Sequence, residues 1–121
     1  MTKDQALYTF FNSFGITAYP DTAVPEDAAM PYLTYSAAFD SWGNFVALTA
    51  NLWYRTESEA IPTAKAQEIC DRIGGGCYQT CDGGAILFTM GSPKFQNLAD
   101  AADSSVKRRY LNVNAEYLTL N

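Results

Sequence analysis

The chain contains no histidine, so the commonest general base and the commonest metal ligand at neutral pH are both missing. Serine and cysteine nucleophiles need an adjacent base to react, and no lysine or carboxylate motif stands in for one. The three cysteines, Cys70, Cys77 and Cys81, are spaced C-x6-C-x3-C. A structural zinc site takes a full set of Cys or His ligands, commonly in pairs separated by about two to four residues. This set is incomplete, and free thiols packed as small hydrophobes in a reducing compartment are expected instead. Carboxylates occur as Glu57 with Glu59, Glu68 with Asp71, and Asp100 with Asp103. Paired acids hydrolyse glycosides only in a deep cleft where one carboxyl has a raised pKa, and these three pairs read as solvated faces. Gly74-Gly75-Gly76 closes a helical stretch, whereas a phosphate cradle follows a strand and opens a helix. The expectation is of no catalytic residue, no cofactor and no metal, and so of a protein that is not an enzyme.

The one basic cluster, Lys107-Arg108-Arg109, is a short footprint for nucleic acid. It sits in a chain with 8 basic residues against 13 acidic ones and a net charge of −5. Affinity for DNA or RNA comes from neutralising phosphates, so tight nucleic-acid binding is not expected. As a rim feature at the start of a strand the cluster could pair with acids of a neighbouring subunit; the bland reading is a solvated strand end. Trp42 lies in a turn-forming stretch. It is either an exposed interface anchor, a role in which Trp is enriched, or a side chain folded back over the core.

These residues must be positioned by one domain, since 121 residues leave no room for a second core. Hydrophobic content of 48% and charged content of 17% fit a folded chain rather than a disordered one. No run approaches the roughly 20 apolar residues that span a bilayer, and the amino-terminal segment is unlike a signal peptide; assembly in the cytoplasm with no membrane contact is expected. Thr2 and Gln5 resemble a capping box, and Leu7, Phe10, Phe11 and Phe14 share one helical face, predicting a helix over Lys3–Phe14 stopped by Gly15. Ile16–Pro20 is a short extended piece and Asp21–Pro31 an exposed loop. Alternation predicts strands at Tyr32–Phe39 and Phe45–Tyr54, forming a hairpin across Asp40–Asn44. Ser58 caps a second helix whose stripe is Ala66, Ile69, Cys70 and Ile73. A hairpin follows, Cys77–Cys81 and Ala85–Met90, then a long loop over Gly91–Ser105. The last strand runs over Lys107–Leu118 with Leu111, Val113, Ala115 and Tyr117 on one face. The fold class is therefore α+β, a two-layer sandwich with a mainly antiparallel sheet of about five strands and two helices on one face.

Three segments together resemble a known family. They are the opening strand Met30-Pro31-Tyr32-Leu33-Thr34-Tyr35, the hydrophobic strand Phe45–Arg55 containing Trp53, and the closing strand Lys107–Leu118. In this order and at this length the chain is similar to the tail terminators, or tail-completion proteins, of long-tailed phages, often labelled minor capsid proteins. The resemblance implies a virion protein of the tail or neck, found in phages or prophages. Its subunits would close into a homo-oligomeric, hexameric ring that caps the tail tube and joins the head-side connector. Its partners would be the tail tube protein and the connector, and the family supplies no catalytic residues. A different neck component, such as a head-closure or head–tail adaptor protein, shares the same size, acidity and lack of catalysis. So does a small cytoplasmic binding module unrelated to phage.

Overall fold

The computed structural model describes residues 1–100 and 102–121. Helix α1 (Lys3–Phe11) opens on the capping box: Gln5 N–H donates to Thr2 Oγ1 at 3.1 Å, and Thr2 N–H to Gln5 Oε1 at 2.9 Å. The helix does not run on to Phe14 as an α-helix. It tightens at Asn12–Phe14 into a 3-10 turn closed by Gly15 at φ 76°. Asn12 explains the change, because its side chain is used elsewhere. It accepts from Ala18 N–H at 2.9 Å and donates to the Ala18 carbonyl at 3.2 Å, acting as a one-residue strand partner for β1 (Ala18–Pro20).

The remaining elements are β2 (Tyr32–Tyr35), β3 (Phe45–Arg55), α2 (Ala60–Ile73), β4 (Cys77–Cys81), β5 (Gly84–Ala99) and β6 (Val106–Thr119). They form a six-stranded sheet in the order β1-β2-β3-β6-β5-β4. The sheet is mixed: β1 runs parallel to β2 and every other pair is antiparallel. The extended piece before Pro20 thus becomes a sixth strand beyond the five expected. Strand β2 stops at Tyr35, four residues short of the expected end at Phe39. Ser36 ends the ladder by offering its hydroxyl to Thr49 N–H at 2.9 Å. From there the chain leaves the sheet, held by the Tyr117 hydroxyl donating to the Ala38 carbonyl.

The largest correction falls on Gly91–Ser105. Much of that segment continues β5 alongside β6, with Phe95 opposite Leu111 and Ala99 opposite Lys107. Gly91, Ser92 and Pro93 carry turn chemistry, but the chain uses it for a bulge between Met90 and Phe95. Asn112 Nδ2 donates to the Pro93 carbonyl at 2.7 Å and holds the bulge to the sheet.

Both helices bury their apolar faces in one core against Leu48, Ala50 and Leu52 of β3 and Leu111, Val113, Ala115 and Tyr117 of β6. Helix α2 lies on β3, β5 and β6, while α1 touches β1 and β4, the two outermost strands. Only a curled sheet allows that. Two aromatic stacks fix α1: Phe10 on Phe88 with centroids 3.6 Å apart, and Phe11 on Tyr35 at 4.5 Å. Truncation of a buried aromatic removes its transfer energy and leaves a cavity. Phe88→Ala is expected to lower the unfolding free energy by about 3–5 kcal/mol. Tyr78→Ala, one strand away but 65% exposed, should change it by no more than about 0.5 kcal/mol. Urea titration of both variants checks this, and equal losses would contradict the strand register.

Candidate assembly surfaces

The period-two alternation of β3 and β6 that fills the core leaves a second, helix-free sheet face. Trp53 stands on it, between Tyr32 of β2 and Arg108 of β6. Its indole N–H donates to Thr34 Oγ1 at 2.9 Å, and the Arg108 guanidinium lies over its ring at 5.1 Å. Arg108 Nε also donates to Asn51 Oδ1 at 2.7 Å. Tyr19 and Tyr32 meet edge to face beside them, with centroids 5.8 Å apart. The result is a pre-ordered surface of aromatic rings with polar edges, the composition that favours protein contacts.

A second surface is the loop between β2 and β3. Trp42 is 61% exposed, and Phe39 and Phe45 on either side of it are exposed as well. The backbone beneath them is fastened. Trp42 N–H donates to the Thr119 carbonyl at 2.7 Å, and Lys3 Nζ donates to the Asp40 carbonyl at 2.8 Å. Trp42 is thus exposed and not folded back over the core.

The basic cluster does not act as a unit. Alternation along β6 sends Arg108 to the helix-free face and Arg109 into the protein, where it is 1% exposed. Arg109 Nε donates to Thr63 Oγ1 at 3.1 Å, and Nη2 donates to the Glu59 carbonyl at 3.1 Å and to Glu59 Oε1 at 3.3 Å. Arg109 therefore departs from its expected place on an intersubunit rim; it ties the start of α2 to β6. Lys107 donates to the Ser104 carbonyl at 2.6 Å and lines an open cleft of about 570 Å³ with Glu57, Glu59, Asp100 and Arg109. The position of Arg109 was readable, since it continues the series Leu111, Val113, Ala115 and Tyr117 backwards by two.

Hydrogen bonds from Ser105 and Arg55 hold the Asp103 carboxyl down at about 2, and the Lys65 hydrogen bond lowers that of Glu68. A general acid needs the opposite shift. Burial raises the Cys70 and Cys77 thiols, which keeps them protonated rather than as the nucleophilic thiolate. All three cysteines are free.

A smaller hollow of about 420 Å³ lies between α1 and the β1–β2 edge, lined by Asp4, Tyr8, Thr9, Pro20 and Tyr35. Nothing local in the sequence marks it, because its walls come from three separate elements.

Comparison of the chain with protein-family models, curated proteins and solved structures finds no match. Among the described residues no helix is long and apolar enough to cross a membrane.

Two expectations follow. Arg109→Ala removes four hydrogen bonds from a buried site and should destabilise by about 2 kcal/mol or more. Glu59→Gln should cost less than about 1 kcal/mol, because Glu59 is 64% exposed and water screens the pair. Thermal unfolding of the two variants checks the ranking. For Asp103, a folded pKa below the ordinary 3.8 means its contribution is complete above that value and lost as pH falls through about 2. Carboxyl NMR should find that low midpoint, and Ser105→Ala should move it upward.

Proposed function

We propose that this chain is a structural assembly protein of the tail-terminator kind. Its copies close into a ring, hexameric as the resemblance implies, that caps the tail tube of a long-tailed phage and meets the head-side connector. The observation that carries this reading is the exposed aromatic loop Phe39–Phe45 on a fastened backbone, with Trp42 at its tip. A lone protein leaves such rings in water at a cost, whereas an assembly protein uses them as anchors. The helix-free face around Trp53, Arg108 and Tyr32 offers a second, more polar contact surface of the sort that non-obligate partners share. The three strands that resemble the family are β2, β3 and β6, which lie side by side at the centre of the sheet.

The charge balance supports the same role. A ring through which DNA passes must not grip it, and a net charge of −5 repels phosphate. With Arg109 buried and Arg108 engaged on Trp53, the basic cluster offers no continuous cationic track.

Light scattering and negative-stain imaging of the purified protein across concentration are expected to show six-fold rings. Trp42→Ala should weaken binding to tail tubes or connector by roughly tenfold or more if Trp42 is a hot spot. Duplex DNA should show no shift at physiological salt. A chain that stays monomeric at millimolar concentration overturns the ring, and micromolar DNA retention overturns the charge argument.

A further inference from the structure

The two edges of the sheet are finished differently. At β1 the Thr17 carbonyl and the Asp21 N–H bond to β2, so by alternation Ala18 and Pro20 turn their backbone groups outward. The Asn12 side chain takes both the N–H and the carbonyl of Ala18. Pro20 has no N–H to offer, and its carbonyl accepts from Ala23 N–H at 2.9 Å. That edge is closed to a further strand.

The other side is left open. Strand β4 pairs only with Gly84–Phe88, while β5 runs on to Ala99. On β6, Tyr117 N–H bonds to the Asn44 carbonyl and the Thr119 carbonyl to Trp42 N–H, which turns the odd-numbered residues of that strand toward β3. Phe95, Asn97 and Ala99 lie opposite Leu111, Arg109 and Lys107, and so point their N–H and C=O groups away from β6. No strand pairs with those groups, and no loop backbone or side chain among the described residues hydrogen-bonds to them. Proteins guard such edges with Pro and charge. Here Pro93 and Lys94 sit in the bulge, and Phe95–Ala99 beyond it carries neither.

The same edge forms a wall of the open cleft of about 570 Å³, through Asn97, Leu98 and Ala99. The basic side chains of that cleft are engaged, Arg109 with Thr63 and Glu59 and Lys107 with the Ser104 carbonyl. Glu57 and Asp100, which also line it, take part in no ion pair among the described residues.

We propose that Phe95–Ala99 accepts an extended segment of another protein as an added strand beside β5, with a Lys or Arg of that segment reaching Glu57 and Asp100. In strand addition the backbone bonds supply affinity, and the side chains beside the edge set the preference. The choice of occupant rests on the ring reading above. Copies in a ring meet head-to-tail through two different surfaces, and a sheet continued that way from copy to copy needs the β1 edge, which is closed. Two β5 edges pair only about a twofold axis, which closes a dimer and not a ring. The edge is thus free for a partner of the ring.

Random short peptides, displayed and selected on the intact protein, are the probe. Enriched sequences should alternate apolar and polar residues and carry Lys or Arg at one end. Asn97→Pro removes one outward N–H and leaves the ladder with β6 whole, so thermal unfolding should match wild type while peptide affinity falls about tenfold or more. Methylating alternate amides of the peptide should abolish its binding to the wild-type chain. Glu57→Gln combined with Asp100→Asn should remove the preference for a basic residue. A selection that enriches nothing, or peptides that tolerate both Asn97→Pro and amide methylation, overturns strand addition and leaves the ring standing. A wild-type chain that dimerises where Asn97→Pro stays monomeric assigns the edge to a second copy, and removes the partner and the ring together.

Discussion

Helix α1 is held by two face-to-face aromatic stacks, Phe10 on Phe88 from β5 and Phe11 on Tyr35 from β2. Because β5 and β2 lie on opposite flanks of the β3–β6 pair, one helix can grip both only if the sheet curls around it. That constraint organises the rest of the protein. It brings the sheet's outer strands, β1 and β4, to the same short helix, and it turns the opposite face of the sheet outward without a helical cover. It also decides where Tyr35 puts its hydroxyl. The ring lies flat on Phe11, and its buried phenolic oxygen finds no hydrogen-bond partner within the chain. The interaction that stabilises the core thus leaves one polar atom without a partner in the chain.

Strand β6 is the second organiser. It is the central partner of both β3 and β5, and its alternation from Arg109 to Thr119 separates the two sides of the molecule. Tyr117 shows how tightly the sides are coupled. Its ring is in the core and its hydroxyl holds Ala38, so the loop that displays Phe39, Trp42 and Phe45 is anchored to the sheet. An exposed aromatic on a slack loop would lose much of its contact energy to ordering entropy; one on a fastened loop does not. Arg109 plays the corresponding part at the other end, where a buried guanidinium spans Thr63, Glu59 and the β6 backbone. Its fork of fixed donors suits a junction between a helix start and a strand better than a lysine would.

Shifted carboxylates move down and shifted thiols move up, so at neutral pH the former are ionised and the latter protonated. The cleft near Arg109 mixes charges of both signs, and the glutamate nearest the arginine is already bonded to it. Toward its surroundings the fold presents rings with polar edges on one sheet face and a fastened aromatic loop.

Much of this was written in local pattern. Period two over Phe45–Arg55 and Val106–Thr119 and the helical spacing of Leu7, Phe10 and Phe11 place the core residues, because burial of one face is a local demand on every strand and helix. The same alternation carried as far as Arg109 tells that it faces inward. The missing histidine, the incomplete cysteine set and the acidic balance are likewise properties of composition and need no coordinates. Other features depended on partners distant in the chain. Gly91-Ser92-Pro93 became a bulge in a long strand because β6 was there to pair with the residues beyond it. Residues Ala18–Pro20 became a strand because β2 and the Asn12 side chain satisfied them from both sides. The hollow at Asp4, Tyr8 and Tyr35 exists only where a helix and a sheet edge meet. Backbone hydrogen bonds in a sheet and the walls of a pocket are both non-local, so neither leaves a period in the sequence for alternation to reveal.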